Sequence, residues 1–164
     1  MADDAPAERP PFRVWVDADA APKAVREVLY RAAENRQVRV VLVANRPQVF
    51  PRSRFISSVQ VSAGMDVADD HIVARCAPGD IVITADVPLA AEAVEKGAIV
   101  IDPRGELLDV RNVKQRLAIR DMLTEARASG VDTGGPPPFS KVDLQRFSNA
   151  LDRQLTRALP RPPR

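Results

Sequence analysis

The chain has one cysteine and one histidine in 164 residues. The lone thiol, Cys76, excludes an internal disulfide and a cysteine-rich zinc site. With only His71, a nucleophilic triad is hard to assemble. Aromatic residues make up 4% of the chain, so stacking on bases would supply little of any affinity for nucleic acid. No apolar run approaches the roughly 20 residues that cross a bilayer. The opening M-A-D-D-A-P-A-E-R-P-P is acidic and Pro-rich, unlike a secretory signal. These absences predict a cytoplasmic protein with no membrane partner, and they leave its oligomeric state open.

What is present suits one folded unit. Hydrophobic residues reach 45%, enough for a sizeable core in a chain of this length. The expected organisation is an arm over 1–12, a single α/β domain over 13–157 and a tail over 158–164. Net charge is +2, unevenly spread. From Arg111 to Arg127 five basic residues face two acids, and from Lys141 onward six face two. Acids gather further upstream. A basic surface beside an acidic pocket suits a polyanionic ligand with a cation between them.

Periodicity places the elements. Arg13–Asp17 reads as a short strand and Pro22 as the opening of a helix. Val25, Val28, Leu29, Ala32 and Ala33 form that helix's apolar stripe. Val38–Ala44 is mostly β-branched, as expected for a strand buried on both faces. The stretch 45–54 holds two prolines and three arginines and reads as a loop. Phe55–Val61 is a weaker strand, and Asp66–Ala77 a helix with Ala68, Ile72 and Cys76 on one face. Ile81–Thr84 and Ala98–Ile101 are buried strands around a helix over Asp86–Lys96. A long helix follows over Val110–Ser129. T-G-G-P-P-P-F, from Thr133, reads as a linker or ordered loop, and Ser140 caps a last helix. Strands alternating with helices predict an α/β fold with a mainly parallel sheet.

Three apolar strands end in an acid: V-W-V-D at Asp17, I-V-I-T-A-D at Asp86 and A-I-V-I-D at Asp102. A fourth ends in Asn45. In a parallel sheet these ends share one edge, where α/β proteins bind ligands. Asp66, Asp69 and Asp70 open a helix that could border the same crevice. Gathered carboxylates repel, and burial raises their pKa unless a cation neutralises them. An all-oxygen donor set suits Mg²⁺ or Mn²⁺, held by one or two carboxylates plus water and phosphate oxygens. Each acid also has a plain structural use. Asp66, Asp69, Asp86 and Asp19 could cap helices, and Asp102, before Pro103, could sit in a turn. Asp17 is the hardest to explain in this way, because Asp19, two residues later, is the better cap candidate.

The motifs V-D-A-D-A-A-P, V-A-N, A-G-M-D-V-A-D, G-D-I-V-I-T-A-D-V-P-L-A-A-E-A, D-P-R-G and T-G-G-P stand in this order between Val14 and Leu155. Together they resemble the YaiI/YqxD family of uncharacterised bacterial proteins. The resemblance implies a three-layer fold similar to the PIN domain, the fold of many metal-dependent ribonucleases. On it, Asp17 corresponds to the acid that ends the first PIN strand, and Asp86 to the acid of the D-x-x-L-A-x-x-A helix. Thr84 corresponds to the hydroxyl residue before that acid, and Asp66 or Asp69 to the intermediate acid. The family usually reads D-A-D-A-C-P, whereas this chain has Ala21 at the cysteine position, which removes any thiol chemistry there.

The expected activity is a Mg²⁺- or Mn²⁺-dependent nuclease acting on RNA or single-stranded nucleic acid. Asp17, Asp66, Asp69 and Asp86 are the expected metal ligands, and Asp17, Asp19, Asp86 and Thr84 the catalytic set. Asn45, Arg46, Arg52 and Arg54 are the expected substrate contacts. The competing expectations are a non-catalytic nucleic-acid or nucleotide-binding module, and a phosphatase of small substrates.

Overall fold

A computed structural model describes residues 12–159. The expected arm over 1–11 and tail over 160–164 lie outside the described residues. Phe12, expected to end the arm, instead packs into the core with 4% of its surface exposed.

The strands are β1 (Arg13–Asp17), β2 (Arg39–Ala44), β3 (Ile56–Gln60), β4 (Ile81–Ile83), β5 (Ile99–Ile101) and β6 (Leu107–Leu108). The helices are α1 (Lys23–Arg36), α2 (Val67–Arg75), α3 (Val87–Glu95), α4 (Val110–Ala128) and α5 (Lys141–Ala158). The six strands form one sheet in the order β3-β2-β1-β4-β5-β6. The first five are parallel, and β6 pairs antiparallel with β5.

Alternation along the strands divides the core in two. Val14, Val16, Val40, Leu42, Ile81 and Ile83 point to one face. There they meet Val25, Leu29 and Ala33 of α1 and Phe147, Leu151 and Leu155 of α5. Trp15, Val41, Val43, Val82 and Val100 point to the other face, under Ile72 of α2, Leu89, Ala90 and Ala93 of α3 and Val113 of α4. The result is three layers, helix–sheet–helix, consistent with the PIN-like arrangement that the resemblance implied.

Local chemistry fixes the helix ends. Asp86 caps α3 by accepting from the Leu89 N–H at 2.9 Å, with Pro88 in the first turn. Asp109 with Asn112, and Ser140 with Asp143, form reciprocal capping boxes on α4 and α5. Asp66 precedes α2 in a left-handed conformation and caps nothing with its side chain.

The structure corrects several sequence-based boundaries. The second helix starts at Val67 and ends at Arg75, leaving Cys76 just beyond it. Val38 and Ala98 lie outside their strands, and β6 has no sequence signal, being only two residues long. The turn into it is tight. Gly105 has φ +94°, and a Cβ there would stand 2.5 Å from the Arg146 backbone of α5. The T-G-G-P-P-P-F stretch is an ordered loop. Arg104 donates to the Pro137 carbonyl at 2.6 Å, pairs with Asp143 at 2.8 Å and lies over the Phe139 ring. No described helix is long and apolar enough to cross a membrane.

Candidate functional site: an acidic sheet edge

Because β1, β2, β4 and β5 run parallel, their C-terminal ends lie along one edge. Asp17 ends β1 with 9% of its surface exposed. Thr84 follows β4 and is buried beside it. Its hydroxyl donates to Asp17 Oδ2 at 3.1 Å and accepts from the Asp86 N–H at 3.0 Å. One side chain therefore fixes both the buried carboxylate and the entry to α3. Asp86 spends Oδ1 on its cap, which leaves Oδ2 for the crevice.

Asp69, in the first turn of α2, completes the group from a third element. Its carboxyl is raised to about 7, first by burial and then by the charges of Asp86, Asp17, Asp66 and Asp70. Asp17 is also raised, mainly by burial; the Thr84 hydrogen bond opposes this, and the charges of Asp86 and Asp19 add to it. These carboxyls are close enough to repel and too buried for water to screen them fully.

A cleft of about 560 Å³ opens beside them between α2, α3 and α4. Asp66, Asp69, Asp70 and Asp86 line it together with Glu92, Glu95 and one cation, Arg120. No motif marks Glu92 and Glu95 in the sequence, whereas Arg120 belongs to the basic run from Arg111 to Arg127. Pro88, Glu92 and Glu95 follow one another at i, i+4 and i+7 on α3, a spacing that places the two glutamates on its cleft side.

Other expected residues fall elsewhere. Asp19 is exposed and accepts from the Asn45 N–H at 2.7 Å, tying the end of β1 to the end of β2. It caps no helix. Asp102 is a turn residue, accepting from the Arg104 N–H at 2.6 Å, with Arg116, Arg104 and Asp143 as its charged neighbours. Arg46 lines a separate pocket with Tyr30 and Phe50 on the α1 side. Arg52 is exposed. Arg54 lies at the start of β3, the opposite end of the sheet from Asp17. The expected grouping of Arg54 with the acids is therefore not formed: β3 runs parallel to β2, so the loop must carry the chain back across the sheet.

The donor set fits a hard divalent cation in kind, since every candidate ligand is a carboxylate oxygen. Among the described residues, no three His, Cys, Asp or Glu side chains converge into a ready-made cage. A Mg²⁺ ion held there by one or two carboxylates would need water and phosphate oxygens to complete its shell.

Fold and edge together define a three-layer α/β protein with an acidic cleft at the carboxyl ends of its parallel strands. Residues 15–157 match the model of the uncharacterised YaiI/YqxD family. The chain belongs to that family. A UPF0178 protein of Saccharophagus degradans is 56% identical over 148 residues, covering 90% of this chain and 98% of the relative. UPF0178 proteins of Hydrogenovibrio crunogenus and Shewanella amazonensis are 52% and 54% identical, each over 89% of this chain and 97% and 98% of their own lengths. No solved structure matches the chain.

Proposed function

We propose that the acidic edge binds Mg²⁺ or Mn²⁺ and hydrolyses a phosphodiester of RNA or single-stranded nucleic acid. The observation that supports this reading most is the grouping of Asp17, Asp69 and Asp86 at one edge from β1, α2 and α3, with the Thr84 hydroxyl bridging Asp17 and the Asp86 N–H and the charge of Asp86 raising both Asp17 and Asp69. Asp17, Asp86 and Asp69 would hold the cation, with Asp66 at the rim of the cleft. When bound, it supplies charge neutralisation and polarisation of a phosphoryl oxygen. Thr84 keeps Asp17 pointed into the edge, and Asp19 anchors the Asn45 backbone beside it. The cleft is open and poor in aromatics, so substrate would be held by charge more than by base stacking. The free, buried Cys76 accords with a reducing compartment such as the cytoplasm.

Calorimetric titration of Mn²⁺ into metal-free protein tests the cation. Saturable binding that Asp17→Asn abolishes is the expected result. Cleavage of a labelled single-stranded RNA by wild type, lost in the same variant, then tests the reaction. A second reading, a binding module without turnover, is favoured by the lack of a ready-made carboxylate cage among the described residues. Salt-sensitive RNA binding with no cleavage in either Mg²⁺ or Mn²⁺ would select it.

A further inference from the structure

The amino-terminal edge of the same sheet carries the reverse charge. Arg13 and Arg39 open β1 and β2 and are register partners. Both share the face of Trp15 and Val41, because Val14 and Val40 point to the other core. Adjacent strands lie about 4.8 Å apart, so two guanidinium-bearing side chains rise next to each other. Arg54, ahead of β3, and Arg75, in the last turn of α2, close the same pocket of about 310 Å³. Trp15, Phe55 and His71 contribute to its lining, and no carboxylate does.

The acid that adjoins this pocket is already engaged. Asp80 accepts from the Arg13 N–H at 2.9 Å, the Trp15 Nε1–H at 3.0 Å and the Ala77 N–H at 2.9 Å. Among the described residues, none of the four arginines forms an ion pair with a carboxylate. Gathering four like charges costs Coulomb energy, which an anion in their midst would reverse. Guanidinium forks match phosphate oxygens in geometry as well as charge.

We propose that this arginine pocket binds a phosphate group of a phosphorylated ligand. It lies about 13 Å from Asp17, the length of β1 at about 3.3 Å per residue, and it does not depend on the acidic edge being catalytic. Phosphate could reach it from a small phosphate ester or from a nucleic-acid strand, and the chemistry of capture is the same.

Trp15 is the chain's only tryptophan and lies in this pocket, so its fluorescence reports occupancy. Pyrophosphate, a 5′-phosphorylated tetraribonucleotide and its 5′-hydroxyl counterpart would each be titrated at fixed ionic strength. Saturable fluorescence change with pyrophosphate, weakened about tenfold by Arg39→Gln or Arg75→Gln, is expected. Arg39→Lys, which keeps the charge and loses the fork, should fall between. Preference for the 5′-phosphorylated oligonucleotide over its counterpart would identify a strand end as the source. Tight binding of both would identify the backbone, and pyrophosphate alone a small ester. An equal response to chloride, or binding unchanged in a folded Arg39→Gln/Arg75→Gln double variant, would overturn the proposal. Asp17→Asn should leave pyrophosphate binding intact, so loss of the Mn²⁺ site and loss of this one are separable.

Discussion

Strand β1 begins with Arg13 and ends with Asp17, and the sheet around it repeats that polarity. At one edge stand Arg13, Arg39, Arg54 and Arg75; at the other, Asp17, Asp69 and Asp86. The two edges differ in how their charges are managed. The basic edge is long-armed, with Arg13, Arg54 and Arg75 exposed and Arg39 half-buried, and its guanidiniums can splay toward water. Short aspartates at the acidic edge are fixed by Thr84, by a helix cap and by burial, and burial first, then neighbouring charge, raises the pKa of Asp17 and Asp69. Parallel strands explain both groupings, because identical direction brings like ends together. An antiparallel sheet with the same residues would have mixed them.

The sharpest way to break the contrast is to remove the one acid built into the basic edge. Asp80→Ala leaves the Trp15 indole N–H and two backbone N–H groups without their acceptor. Urea denaturation should show a loss of about 3 kcal/mol. At the other edge, Thr84→Val removes the donor to Asp17 and the acceptor for the Asp86 N–H. A loss of about 1.5 kcal/mol is expected, together with weaker Mn²⁺ binding by calorimetry.

Asp69 gives the contrast a pH signature. Its folded pKa of about 7 lies above the ordinary 3.8, so the folded state holds a proton that the unfolded chain releases. This group's effect on stability is therefore neutral below about pH 4, becomes unfavourable as pH rises from about 4 to 7, and is constant above that. Asp69→Asn should match wild type at pH 4 and exceed it at pH 8 by about 1 kcal/mol, the shift being discounted for solvent screening. Thermal melts at the two pH values check this, and saturating Mn²⁺ at pH 8 should reverse the order. The smallest effect belongs to Arg39→Gln. In phosphate-free, low-salt buffer it should stabilise the protein by about 0.3 kcal/mol, and 0.5 M salt should erase the gain.

Much of this was legible in the chain because it depends on local pattern. The strand ending at Asp17, the Asp86 cap and the Ser140 cap follow from neighbours a few residues away. Asp86 also shows that capping and a place on the cleft are compatible, since it accepts from the Leu89 N–H and still lines the cleft. What stayed hidden depends on distant contacts. Asp80 reads as a turn acid in P-G-D, yet its partners Arg13 and Trp15 are 67 and 65 residues away. Arg54 sits nine residues after Asn45 in sequence, but the loop between them returns from one edge of the sheet to the other. The β5–β6 turn is marked by D-P-R-G, but nothing local announces that Gly105 lies under α5.

The last helix also has a kinetic meaning. Phe147, Leu151 and Leu155 of α5 fill the face of the sheet that α1 covers only in part. On a ribosome, β1 to β5 and α1 to α3 emerge before α5 exists, so Val16, Ile81 and Ile83 wait without their cover. Domains of this kind close late, with apolar surface exposed in the interval. The chain commits its final described helix to shielding its first strands, so a nascent chain stalled before Lys141 would be a natural client for a chaperone.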